Sequence, residues 1–296
     1  MNDLENCLVV GISSRALFDL IKEDAIFRKQ GLEAYTRMQL KNEAKILAPG
    51  AGFALVQALL RLNSLVPASR QTEVVLMSRN NAETSLRIFN SIKSHGLDIS
   101  RAALTSGASL VPYLKAYHVD LYLSACPDDV QAALTAGVAS AVIYAPPKDF
   151  NPLQDQLRIA FDGDAVLFSE ESELIYQRYG LDAFLAHEEK NAANPLPDGP
   201  FAKLLKTLAF LQGKLDIAPS PIRTALVTAR NSPAHERVIR TLRIWGVQID
   251  EVFFLGGLAK DKILSAFGAH MFFDDQHKNL AGSSLVVPCA RVPRTC

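Results

Sequence analysis

The chain has no surplus of charge of either sign: 31 lysines and arginines stand against 31 aspartates and glutamates among 296 residues. A balanced surface offers no broad field to draw in a nucleic-acid backbone or an anionic bilayer, so neither is expected as a partner. Long apolar runs are also lacking, none being long enough to span a membrane. The start, Met1-Asn2-Asp3-Leu4-Glu5-Asn6, has neither the basic nor the apolar region of a signal peptide. Cysteine is sparse, and Cys7, Cys126, Cys289 and Cys296 form no CxxC pair. That spacing argues against a zinc site or a disulfide framework and reads as free thiols. Together these absences predict a soluble, cytoplasmic protein whose partners are small molecules or other proteins.

What the sequence does contain is an alternation of short apolar runs with stretches of helical period. Residues 7–12, 73–77, 102–105, 119–123 and 140–144 read as strands. Helical stretches run from 13 to about 45, then 53–62, 82–94, 110–117 and 128–136, with a break at Pro49-Gly50-Ala51-Gly52. Strands alternating with helices predict an α/β fold with a parallel sheet covered on both faces. Pro146, Pro147 and Pro152 mark a connector.

Beyond that connector the pattern repeats. An offset of 150 pairs Leu17-Phe18 with Leu167-Phe168, Ser78 with Thr228, Gly96 with Gly246 and Leu114 with Leu264; at 149, Gly31 pairs with Gly180 and Gly50 with Gly199. Two Rossmann-like copies of one unit, residues 1–150 and 151–296, are therefore expected as a tandem duplication. At an offset of 150, Asp162 stands opposite Ile12, Asp164 opposite Ser14, Asp274 opposite Ser124 and Asp275 opposite Ala125. The carboxylates of interest are confined to the second copy, which makes the first copy degenerate and places the chemistry in the second.

Four segments of the second half each end an apolar run: Asp162-Gly163-Asp164, Leu226-Val227-Thr228-Ala229-Arg230, Gly257-Leu258-Ala259-Lys260 and Phe272-Phe273-Asp274-Asp275-Gln276. Carboxyl ends of parallel strands share one edge of the sheet, where open α/β folds bind ligands, so separated segments can converge there. The set supplies carboxylates for a hard cation such as Mg2+, and a hydroxyl and a lysine for phosphoryl oxygens. Asp162 and Asp164 are also compatible with a plain turn. A calcium loop is not, because Val166 and Leu167 occupy places that need an oxygen ligand and a glycine. Thr228 alone reads as well as a helix N-cap. Arg230 suits either a phosphate or an acidic partner, Lys260 competes with Lys262, and the metal ligand of the Asp274–Asp275 pair stays open.

The order Asp-x-Asp, Ser/Thr, Lys, acidic pair resembles the haloacid dehalogenase-like phosphohydrolases. More narrowly, Ala160 to Ser169, Leu226 to Arg230 and Phe272 to Gln276 are similar to the cytosolic 5'-nucleotidase I family. The likeness extends to Ser13-Ser14-Arg15-Ala16-Leu17-Phe18-Asp19 and Tyr113 to His118 in the first half. The resemblance implies a Mg2+-dependent hydrolase of nucleoside 5'-monophosphates, AMP and deoxynucleotides favoured. It implies Asp162 as the nucleophile that becomes an aspartyl-phosphate, and Asp164 as the acid and then base at the leaving oxygen and the water. Thr228 and Lys260 would bind the phosphoryl group. Asp162, the Asp164 carbonyl, and Asp274 or Asp275 would hold the metal.

Relatives insert a cap between the first two motifs, here around 169–220. Its segment 184–201, with His187 and Asn191, is expected either to contact the nucleoside or to be a surface loop. His118, His270, His277 and Trp245 are expected to be structural. The first half is expected to bind no magnesium and to complete the substrate pocket, bind an effector or form a homo-oligomer contact. Two rivals are a phosphatase of another small phosphoester and a nucleotide-binding regulatory protein with a vestigial site.

Overall fold

A computed structural model describes residues 4–67, 69–148, 150–151 and 155–294; Pro152 and Cys296 lie outside them. The chain divides into two compact units, Met1–Ile143 and Tyr144–Cys296. Among the described residues no helix is long and apolar enough to cross a membrane. Cys7, Cys126 and Cys289 are free thiols.

In unit 1 the elements are β1 (Leu8–Ile12), α1 (Ser14–Leu17), α2 (Ile21–Lys41), α3 (Phe53–Leu65), β2 (Thr72–Ser78) and α4 (Leu86–Ser94). They continue with β3 (Arg101–Leu104), α5 (Val111–Ala116), β4 (Leu121–Ser124), α6 (Pro127–Thr135) and β5 (Ala139–Ile143). The strands pair in the order β3-β2-β1-β4-β5, every pairing parallel. β1, β2 and β4 are buried along their whole length, as expected of parallel strands covered on both faces. Val9, Val75, Met77 and Tyr122 pack with Leu114 and Ala133 on one face. Ile12 turns to the other face and meets Gly52 at the start of α3, where a Cβ would lie 2.7 Å from the isoleucine side chain.

The helix expected over 82–94 begins only at Leu86. Asn81 accepts the Thr84 N–H and hydroxyl through its side chain, a local turn that competes with the helix's first turn. Helix α2 is broken at Gly31, whose φ of 81° only glycine adopts readily.

Unit 2 comprises β6 (Leu157–Phe161), α7 (Glu171–Lys190), α8 (Ala202–Leu215), β7 (Ile222–Thr228), α9 (His235–Ile244), β8 (Glu251–Phe254), α10 (Asp261–Phe267), β9 (Met271–Asp274), α11 (His277–Ser283) and β10 (Cys289–Arg291). Its strands run β10-β9-β6-β7-β8, again all parallel. Ala160, Val227, Leu264, Phe272, Leu280 and Cys289 form one core cluster. Helix α8 buries Leu204, Leu205, Leu208 and Leu211, whereas α7 buries only Ser172, Phe184 and Glu188 and breaks at Gly180 with φ 83°. The segment from 169 to 220 thus contains one ordinary core helix and one largely solvated helical arm.

The hydrogen bonds of the two units correct the sequence register at the most important point. Ser13 donates its N–H to the Leu123 carbonyl at 2.9 Å, and Asp162 donates to Phe273 at 2.8 Å. Asp162 therefore corresponds to Ser13, not to Ile12. A little further on, Gly50 donates to Leu17 as Gly199 donates to Leu167, and Gly52 donates to Ala16 as Phe201 does to Val166. Between these fixed points unit 1 has Ser14 and Arg15, while unit 2 has Gly163, Asp164 and Ala165. The extra residue is accommodated by Ala165 at φ 61°. In unit 1 the shorter connection closes as α1 instead.

Candidate active site

Strand β6 ends at Phe161 because the chain must turn at once: the Gly163 carbonyl accepts from Leu167 at 3.0 Å and Phe168 at 2.9 Å. Val166, Leu167 and Phe168, which resume the apolar run, are buried in this turn rather than in a strand. Asp162 is held at the strand's end, and Gly163 donates its N–H to Asp162 Oδ1 at 2.7 Å. Gly163 has a second role. A Cβ there would lie 3.2 Å from the Thr228 hydroxyl, so its absence lets the loop close on the end of β7. Thr228 accepts from the Arg230 N–H at 3.3 Å and is not a helix cap, since α9 starts from Ala234.

Lys260 and Asp274 complete the cluster. Lys260 lies immediately before α10, buried, with Nζ 2.8 Å from Asp162 Oδ1 and 2.7 Å from Asp274 Oδ2. Lys262 is exposed. Asp274, the last residue of β9, also accepts from the Gln276 N–H at 2.8 Å and from the Asn279 side-chain amide at 3.0 Å. Asp275 accepts from Arg294 through Oδ2, at 3.0 Å from Nη2, while its enclosed Oδ1 has no donor among the described residues.

Burial sets the electrostatics here. It raises the Asp162 carboxyl above the ordinary range; Lys260 opposes the rise, and Asp274 and Asp164 add to it. Burial followed by Asp274 raises Asp275 to about 6 against the pull of Arg294. Burial would lower Lys260, but Asp162 and Asp274 outweigh it and raise the ammonium. Asp162, Asp274 and Asp275 each offer an oxygen within 4.8 Å of the others'. Three buried carboxylates, one with an oxygen lacking a donor, match the all-oxygen environment of a hard divalent cation.

Asp164 faces a different partner. Arg230 grips it with a two-pronged pair, Nε to Oδ2 at 2.9 Å and Nη2 to Oδ1 at 2.6 Å. The other prong of Arg230 reaches Glu188 on α7, which also accepts from Ser172 at 2.7 Å and Arg237 at 2.9 Å. Burial would raise Glu188, but Arg230, the Ser172 hydroxyl and Arg237 hold it below the usual glutamate value. The Arg230 guanidinium also stands over the Phe184 ring, 5.3 Å from its centroid.

The structure brings Asp162, Thr228, Lys260, Asp274 and Asp275 to the strand ends and ties Asp164 to Arg230. His187 and Asn191 face neither group. His187 sits between Glu171 and Glu188, and Asn191 donates to the His187 carbonyl at the end of α7. Trp245 packs 5.5 Å from Phe168 with Lys206 over its ring, and His270 accepts from the Arg158 N–H. Glu188, Asn279 and Arg294 were not expected from the sequence.

A family model described as 5'-nucleotidase matches residues 1–296. The chain is 41% identical over 289 residues to human cytosolic 5'-nucleotidase 1B, an alignment covering 94% of this chain but 47% of that protein, so the chain spans about half that relative's length. A chain from the structure of the Pnkp1/Rnl/Hen1 complex superposes at a TM-score of 0.33 with 14% identity, covering 97% of this chain and 96% of that one; so loose a likeness carries no argument.

Proposed function

Because the chain belongs to the 5'-nucleotidase family, we propose that unit 2 is a Mg2+-dependent 5'-nucleotidase that releases phosphate from nucleoside 5'-monophosphates. The observation that carries this reading is the buried Asp162–Lys260–Asp274 bridge at the strand ends beside Thr228. Asp162 attacks phosphorus as the bond to the ribose 5'-oxygen breaks, and Asp164 delivers the proton that this oxygen needs to leave as a hydroxyl. Water then attacks the aspartyl-phosphate and gives its proton to Asp164, which frees phosphate and restores the Asp162 carboxylate. Lys260 and Thr228 hold the phosphoryl oxygens, the lysine offsetting charge on both nucleophile and substrate. Mg2+ held by Asp162, the Asp164 carbonyl and Asp274 or Asp275 would supply the further positive charge that lets two anions approach.

Arg230 is the positioning residue for Asp164 in this reading. Its fork occupies both carboxylate oxygens, so a swing of Asp164 toward a substrate requires the fork to open. The cap is the arm from 171 to 198, tethered to Arg230 by Glu188, with α8 belonging to the sheet's cover; His187 and Asn191 contact the nucleoside only if the arm moves. The repeated strand order and the matched glycines support a tandem duplication whose unit 1 lacks the acids and binds no magnesium. The cytosolic relative and the lack of a spanning helix among the described residues support a cytoplasmic location.

The test is phosphate release from a panel of nucleoside monophosphates and sugar phosphates, with magnesium and with chelator. Release faster from nucleotides and abolished by chelator is expected, and Asp162→Asn should lower the rate more than about a thousandfold. Equal or faster release from sugar phosphates would replace the nucleotidase by a phosphatase of another small phosphoester. An Asp162→Asn protein as fast as wild type would remove the nucleophile from the scheme. No release from any substrate would leave the regulatory, nucleotide-binding rival in its place.

A further inference from the structure

Unit 1 has a cavity of its own, about 500 Å³, at the carboxyl ends of β1, β2 and β4. In unit 2 the corresponding place is the acid cluster. That volume lies within the roughly 300–1,000 Å³ usual for small-molecule sites. The polar floor is Ser13, Ser78 and Ser124 where unit 2 has Asp162, Thr228 and Asp274, and Leu110 stands where unit 2 has Lys260. The floor therefore offers hydroxyls but neither the carboxylates that would hold a cation nor the lysine that would meet a phosphoryl group.

The charged groups around the floor are already matched. Arg15 pairs with Asp24, Arg79 with Asp129, and Glu23 with Arg87. A neutral molecule leaves these pairs as they are, and the floor offers no unpaired lysine to draw a phosphate in. One wall is aromatic. Phe27 and Tyr35 meet edge to face with ring centroids 5.8 Å apart, although eight residues along an unbroken helix would stand about 12 Å apart. The break at Gly31 folds α2 so that both rings line the cavity. Phe27 is half exposed, which leaves part of its ring open to a partner. Asn80, also in the lining, has an enclosed side-chain Nδ2 that leans toward the Tyr35 hydroxyl without closing a full hydrogen bond.

We propose that this cavity binds a neutral, aromatic, hydroxyl-bearing molecule, a nucleoside, without a metal ion. The ring lies against Phe27 and Tyr35, the sugar hydroxyls exchange hydrogen bonds with Ser13, Ser78 and Ser124, and Asn80 meets an acceptor on the base. The choice of a nucleoside among neutral ring compounds rests on reading unit 2 as a nucleotidase, whose product it would be.

The experiment is isothermal titration calorimetry of the full chain in chelator, with adenosine, uridine, AMP and inorganic phosphate as separate titrants. At least one nucleoside should bind wild type and the Asp162→Asn protein equally. Ser78→Val and Tyr35→Ala should each weaken that binding by about tenfold, the worth of one lost hydrogen bond or ring contact. Phosphate release by the Ser78→Val protein at the wild-type rate shows that the variant is folded. AMP should bind unit 1 no more tightly than adenosine, and phosphate alone should give no Ser78-dependent heat. The proposal is overturned if neither nucleoside binds, or if binding disappears with Asp162→Asn while ignoring Ser78→Val. A Ser78-dependent preference for AMP would overturn it in favour of a phosphate-bearing ligand. Loss of phosphate release alone, with Ser78-dependent nucleoside binding intact, would instead sink the reading of unit 2.

Discussion

Arg230 is buried to 4% exposure and joins two carboxylates from different elements, Asp164 in the loop after β6 and Glu188 on α7. Lysine at this position keeps the charge but loses the planar fork. If Arg230 positions Asp164, Arg230→Lys should lower kcat about tenfold or more while KM stays within about threefold; if the arginine binds the substrate's phosphate, KM should carry the change. Steady-state kinetics on one nucleoside monophosphate separates the two. This pairing was not legible in the sequence, because the partners are 66 positions apart and Arg230 suits a phosphate as well as an acid. Asp162, Thr228, Lys260 and Asp274 were legible, because each ends an apolar run and strand ends converge whatever the intervening length. Glu188 was hidden for a related reason: between His187 and Glu189, on a helix that is mostly solvated, nothing in the local pattern marks it as buried.

At the scale of elements, α7 is held to unit 2 by polar contacts more than by apolar area. Glu188 is the centre of that attachment, and its folded pKa lies below the ordinary 4.5. A depressed carboxylate stabilises the fold fully above the unfolded value and loses that contribution as pH falls through the lower, folded value. Glu188→Gln should therefore flatten the acid limb: urea midpoints measured at neutral pH and again below about pH 4.5 should fall less in the variant than in wild type. Equal falls would remove Glu188 from the attachment. The strands and most helices were readable, because a five-stranded parallel sheet buries both faces and leaves continuous apolar runs. The break at Gly31 inside the helical stretch expected from 13 to about 45 was not legible, since a single glycine inside a helical pattern is compatible with an unbroken helix.

For the whole molecule, two units with one strand order are expected to respond differently to the same ion. Magnesium at about a hundred times its Kd should stabilise the unit that binds it by about 2.7 kcal/mol. Hydrogen exchange followed by mass spectrometry, with magnesium and with chelator, should slow in β6, β7 and β9 and stay unchanged in β1, β2 and β4. Equal slowing in both sets would refute the assignment of the acids of unit 2 as the cation site. The loop after the first strand of each unit carries a further consequence. Ser13, Leu110 and Ser124 could each be exchanged for the charged residue of the other unit, but Ser14-Arg15 is one residue shorter than Gly163-Asp164-Ala165. A protein carrying Ser13→Asp, Leu110→Lys, Ser124→Asp and Asp162→Asn should release no phosphate, and measurable release would contradict this. The two loops differ in length by one residue, so no series of single-residue exchanges turns the hydroxyl-floored end of unit 1 into the acid-floored end of unit 2: passing from one to the other takes an insertion as well.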